Sequence, residues 1–153
     1  MPYLADLHRT IQATLAGGRL GRPVFLRYLI RGSDDAASIR DCLAQAVALA
    51  GTWLGQSLAT VYTLGSLESG HVSVALAFDA GATALVAYAR TPPADAGVDV
   101  LLLGNHGALY HESGPSGYPE EATGRGGEAQ ILKLLLRALQ SHQPESLRPE
   151  NAS

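Results

Sequence analysis

The sequence predicts an α+β domain: a mostly antiparallel sheet of about six strands, with helices on one face and the other face used for oligomerisation. Three observations carry this. Apolar periodicity orders the elements α-β-α-β-β-β-β-β-α, with strands in a run rather than alternating with helices. Turn residues at Asp79–Gly81 and at Gly104-Asn105-His106-Gly107 join successive strands as hairpins. Thr83–Arg90 and Val98–Leu103 are apolar on both sides, a pattern of strands buried on both faces, and three helices are too few to cover both. Self-association through the uncovered face resolves the mismatch.

Each element has a local cause. Leu4, Leu7, His8, Ile11 and Leu15 recur at helical spacing, and Gly17-Gly18 stops the pattern. Pro23 to Arg31 is aromatic and branched enough for a strand. Gly32-Ser33-Asp34-Asp35 supplies a turn and a helix cap. Ile39, Leu43, Ala46, Val47, Ala50 and Leu54 mark an amphipathic helix that ends near Gly55. Strands are expected at Leu58–Leu67, His71–Phe78, Thr83–Arg90, Val98–Leu103 and Ala108–Glu112, with a Pro-rich loop at 92–97. Ser113 to Gly127, rich in Gly, Pro and Ser, is expected as a surface loop. Ile131, Leu132, Leu135, Leu136 and Leu139 predict a closing helix over Glu128 to Gln140. Residues 1–143 are expected as one domain and 144–153 as a flexible tail.

Composition narrows the function. A chain of 153 residues with 46% hydrophobic and 16% charged residues is an ordinary globular domain. A net charge of −3, with the basic residues scattered, gives no reason to expect nucleic acid or an anionic membrane as partner. No basic leader with an apolar core opens the sequence, and no apolar run reaches the ~20 residues of a membrane span. A cytoplasmic location is expected. Cys42 is the one cysteine, so no intramolecular disulfide forms; it reads as a small buried residue of a helix.

Other constellations carry little chemistry. His106 and His111 flank a turn and a strand and would point to opposite faces if both were extended, so no metal is expected. Gly17-Gly18-Arg19-Leu20-Gly21-Arg22 lacks the Gly-Lys-Ser/Thr ending of a phosphate loop and precedes a strand. Gly124-Arg125-Gly126-Gly127 opens a helix, where an anion could sit, but reads first as loop. No G-x-S-x-G nucleophile pattern is present.

Several phrases, in order, resemble one family. Gly18 to Arg27 reads G-R-L-G-R-P-V-F-L-R. Trp53-Leu54-Gly55 is followed by Ala59-Thr60-Val61-Tyr62, and the hairpins of Gly70–Arg90 and Val98–Glu112 follow. Together with Glu128 to Pro144 they resemble the C-terminal sheet domain of the glucose–fructose oxidoreductase / inositol dehydrogenase / MocA family. Those enzymes carry a nucleotide-binding domain ahead of that sheet, and the 153 residues here contain no counterpart of it.

The resemblance also implies where a site would lie. The family's D-x-G-x-H-x-x-D helix motif falls here on Asp41, Gln45 and Ala48. The spacing i, i+4, i+7 puts all three on one helical stripe. Glutamine cannot exchange a proton at neutral pH, so acid–base catalysis fails at that position. The family's Glu-Lys-Pro lysine is missing too, because the one lysine is Lys133 on the closing helix. Asp41 and Gln45 remain candidate ligand-binding residues suited to a sugar or polyol hydroxyl, projecting toward the sheet edge. Arg27 and Tyr28 are candidate further contacts, of which alternation admits one. The competing reading has Asp41 serving the helix dipole alone.

The expectation is a non-catalytic relative with no cofactor and no catalytic residues. It would pair with itself as a homodimer through the sheet face and bind a small polar ligand or a partner subunit. The alternatives are the substrate-domain subunit of a two-chain NAD(P)-dependent sugar or polyol oxidoreductase, with a separate nucleotide-binding subunit, or a degraded product that folds without activity.

Overall fold

The computed structural model describes residues 2–113 and 128–146. Helix α1 (Pro2–Ala16) leads to strand β1 (Pro23–Gly32) and helix α2 (Ala36–Leu54). Strands β2 (Leu58–Ser66), β3 (His71–Phe78) and β4 (Thr83–Arg90) form a meander. A single 3₁₀ turn at Pro93–Asp95 precedes β5 (Gly97–Gly104) and β6 (Ala108–Ser113). Helix α3 (Glu128–Ser141) and a two-residue strand β7 (Glu145–Ser146) follow.

The fold is α+β, with one seven-stranded sheet in the order β6-β5-β1-β4-β3-β2-β7. Five of its six strand pairings are antiparallel, as expected, and one is parallel, so the sheet is mixed; it has seven strands where about six were expected. β1 and β4 pair in parallel, Tyr28 opposite Val86, at the centre of the sheet. The cause is topological. Helix α2 carries the chain from β1 past two strand positions to β2, and two hairpins bring it back, so β4 arrives beside β1 running the same way. The seventh strand is Glu145–Ser146, read from sequence as tail; it pairs with Val61 and Thr60. The Gly-rich segment and the tail beyond Ser146 fall outside the described residues.

The helices lie on one face. α2 packs on β1 and β4, α3 on β2 and α2, and α1 on α2. Leu26, Tyr28 and Ile30 of β1 point into this core with Val74, Leu76, Val86, Val98, Val100 and Leu102. Trp53 packs its ring 5.8 Å from that of Tyr28, and its indole Nε1–H donates to His8 Nδ1 at 2.8 Å. The ends of α2 are both stopped chemically. Asp35 caps the N-terminus by accepting from the Ser38 N–H, and Gly55, in left-handed backbone (φ 64°), closes the C-terminus.

The opposite face carries no helix among the described residues. Register places Phe25, Arg27, Leu29 and Arg31 of β1 on it, flanked by Leu101 and Leu103 of β5 and by Leu85, Ala87 and Ala89 of β4. Ala75, Ala77, Tyr62 and Leu64 extend it to one edge, and Ala108, Tyr110 and Glu112 to the other.

Candidate functional site

The structure places the four candidate residues on two surfaces and in the core. Asp41 and Gln45 lie one turn apart on α2, as their spacing requires, but on the side away from the sheet. Ile39, Leu43, Val47, Ala50 and Leu54 take the sheet-facing side, so the stripe through Asp41, Gln45 and Ala48 points outward. This corrects the expectation that both project toward the sheet edge: an amphipathic helix turns its broad apolar arc inward, and the stripe lies opposite that arc. Asp41 is exposed and touches Arg40 at 3.3 Å; Gln45 is half-buried.

Asp41 is the sixth residue of α2, beyond the first turn where the helix dipole acts, and Asp35 already fills the cap. The dipole reading therefore loses its geometric basis.

Arg27 and Tyr28 fall on opposite sides of the sheet, as alternation demands. Tyr28 is 1% exposed and sits in the core against Trp53. Burial, with the nearby Cys42 adding to it, pushes its phenol above the usual range, so it stays neutral and packs. It contacts no surface a ligand could reach. Arg27 faces the uncovered side, with its Nε buried and making no hydrogen bond. The four side chains are thus not one pocket.

Two polar pairs were not anticipated. Arg31 Nη1 donates to Asp99 Oδ2 at 2.6 Å on the open face. At the start of α2, the Tyr88 hydroxyl donates to Asp34 Oδ2 at 2.8 Å and accepts from the Asp34 N–H at 3.1 Å. Asp99 could have been flagged as a lone carboxylate inside V-D-V-L-L-L, which burial would force to find a cation. Cys42 lies beside this region; burial, then the charge of Asp34, pushes its thiol up to about 12. It is a packing residue rather than a nucleophile.

The two glycine-rich motifs turn out to clamp each other. The Gly104–Gly107 turn packs on the loop entering β1: Asn105 Oδ1 accepts from the Arg22 N–H at 2.7 Å, and the His106 N–H donates to the Leu20 carbonyl at 3.0 Å. A Cβ on Gly104 would fall 1.9 Å from the Leu20 oxygen, so glycine is required by close approach. His106 is exposed on this turn, whereas His111 lies half-buried on β6, in register with the core residue Val100. Among the described residues no group of three or more His, Cys, Asp or Glu side chains could hold a metal ion. No helix among them is long and apolar enough to cross a membrane.

A groove of about 360 Å³ runs between the end of β2 and α3, lined by Gly65, Leu67, Glu68, Leu136, Leu139 and His142 among others. None of the four candidate residues reaches it.

Solved structures share this arrangement, a mixed sheet with a central parallel pair and, among the described residues, helices on one face. The myo-inositol dehydrogenase of Lactobacillus casei, in complex with NAD(H) and myo-inositol, superposes with a TM-score of 0.71 at 11% identity, over 95% of this chain and 60% of that one. The WlbA dehydrogenase of Bordetella pertussis, in complex with NADH and UDP-GlcNAcA, gives 0.66 at 16% identity, over 93% and 60%. The myo-inositol dehydrogenase of Corynebacterium glutamicum gives 0.68 at 13%, over 93% and 61%. The chain thus spans about 60% of the length of these neighbours. They are members of the glucose–fructose oxidoreductase / inositol dehydrogenase / MocA family, and at this identity the likeness establishes a shared fold. No family model and no curated protein matches the sequence.

Proposed function

We propose that this chain is a non-catalytic relative of the oxidoreductase sheet domain, an assembly scaffold that pairs with a second copy through its open face. It presents the outer stripe of α2 to a small polar ligand or a partner subunit. The sheet face that carries no helix among the described residues supports the reading. Six strands at a spacing of about 4.8 Å, each about eight residues long at about 3.3 Å per residue, present roughly 700 Å². Two such faces together reach roughly 1,400 Å², within the range of stable dimers. Gln45 supports the non-catalytic part, because an amide offers hydrogen bonds but no transferable proton.

The 153 residues hold no G-x-G-x-x-G after a strand, so tight binding of NAD or NADP by this chain is not expected. Calorimetric titration tests this. Heat-silent mixing supports the reading, and micromolar affinity for either cofactor overturns it.

A second reading has one observation in its favour. Asp41 and Gln45 face outward on α2, where another chain could cover them and build a site at the junction. The chain would then be the substrate-domain subunit of a two-chain NAD(P)-dependent sugar or polyol oxidoreductase. Co-purification from the native host decides: recovery of a nucleotide-binding chain favours the subunit, and recovery of this chain alone favours the scaffold.

A further inference from the structure

We propose that the tip formed by the two clamped glycine loops binds the phosphate group of a small soluble ester, with Arg19, Arg22 and His106 as its contacts. The site lies at the ends of strands, not on the open sheet face or on α2, so it does not depend on the dimer reading. β1 begins, β5 ends and β6 begins at this end of the sheet. The loop over residues 17–22 and the turn over residues 104–107 meet there, although 83 positions separate Arg22 from Asn105.

The two loops are in close contact. Besides the bond from the Arg22 N–H to Asn105 Oδ1, the Arg22 carbonyl accepts from the Asn105 N–H at 3.0 Å. Gly21 has left-handed backbone (φ 69°), and a Cβ there would lie 2.8 Å from the imidazole ring of His106. A Cβ on Gly107 would lie 3.2 Å from the Arg19 carbonyl oxygen. Glycine lets the two backbones touch, so three side chains able to carry positive charge leave from one small patch. Arg19, Arg22 and His106 are all exposed. None of the three side chains makes a hydrogen bond or ion pair with another described residue. The carboxylate of Asp79, on the turn between β3 and β4 at the same end of the sheet, accepts from the Ser57 N–H at 3.3 Å.

The donor set selects the ligand. Two guanidiniums offer flat, paired N–H donors, and an imidazole adds an N–H in either protonation state. A phosphomonoester carries about −1.5 to −2 charge over three acceptor oxygens and can engage all three side chains. A carboxylate brings one charge and two oxygens. The chain as a whole is acidic, at a net charge of −3, so an anion is drawn to this tip and repelled elsewhere. A nucleic-acid strand or an anionic membrane would spread its charge over the acidic remainder, whereas a small ester stays within the patch. The loop backbones already bond each other, so the patch is built before the ligand arrives.

Titration of the full chain with phenyl phosphate, a simple monoester, tests this through amide NMR shifts. Saturable shifts are expected at residues 19–22 and 105–107. Succinate, a dianion without a phosphate group, should bind weaker by about tenfold or more. Arg19→Gln, Arg22→Gln and His106→Gln should each weaken phenyl phosphate binding on the order of tenfold, and Arg19→Gln with Arg22→Gln on the order of a hundredfold. Arg137→Gln, which removes the same charge from the exposed side of α3, should change nothing. Shifts that fail to saturate or that map elsewhere overturn the site, as does an equal loss in Arg137→Gln. Equal affinity for succinate overturns the phosphate assignment. Co-sedimentation with phosphatidylserine vesicles overturns the small-ester assignment in favour of a membrane surface. Should a variant fail to fold, the shift map and the succinate comparison on the wild-type chain still decide.

Discussion

The hydroxyl of Tyr88, on β4, both donates to the carboxylate of Asp34 and accepts from its backbone N–H. One buried phenol thereby ties the turn between β1 and α2 to the parallel strand beside it. The central crossover of the fold is fastened at this point.

Removing that hydroxyl should be expensive. Tyr88→Phe leaves a half-buried carboxylate and an N–H without this partner. Hydrogen bonds to charged groups contribute about 1.5–3 kcal/mol. Urea unfolding should show a stability lower by that amount, read as a lower midpoint at an unchanged slope. An unaltered midpoint would show that the turn is held elsewhere.

Thr63 invites the opposite change. It is 0% exposed on the core side of β2, and its hydroxyl has no hydrogen-bond partner. Thr63→Val keeps the shape and removes the stranded group, which should stabilise the fold by about 1 kcal/mol. A loss of stability would mean that the hydroxyl is satisfied in solution.

Trp53 is the one tryptophan, and its indole N–H is a donor only, so His8 must accept at Nδ1. His8→Leu should strand the indole, cost about 1 kcal/mol and shift the tryptophan emission. Emission identical to wild type would show that α1 is not docked on α2 as described.

Cys42 makes a prediction about pH. Its thiol is raised to about 12 in the fold, chiefly by burial. A group held in its neutral form contributes fully below the unfolded pKa, about 8.5, and loses that contribution as pH rises toward the folded value. Wild-type stability should therefore fall between about pH 8.5 and 12 more steeply than that of Cys42→Ala. Aromatic disulfide reagents should label the native thiol slowly and the unfolded one at once. Fast labelling of the folded chain at neutral pH would contradict this.

Much of the fold was legible because it is locally encoded. Asp35 and Gly55 bracket α2, and the turn residues at 79–81 and 104–107 set the hairpins. The parallel pairing of β1 with β4 was not, because the choice of neighbour depends on contacts far apart in the chain. The same holds for Arg31 with Asp99 and Tyr88 with Asp34, separated by 68 and 54 positions.

The candidate site was legible in spacing but not in direction. Positions i, i+4 and i+7 did share one stripe of α2. Its orientation was readable too, since Ile39, Leu43, Val47 and Leu54 mark the buried side, and the expectation of a sheet-facing Asp41 overlooked them. Arg27 was singled out for a pocket with Asp41 and Gln45, but strand alternation puts it on the opposite side of the sheet from α2.

If a second copy covers this open face, the wild-type chain is a dimer in solution. Sedimentation equilibrium at tens of micromolar measures this. A dimer gives twice the 16.0 kDa mass of one chain. A mass of 16.0 kDa at that concentration would contradict it.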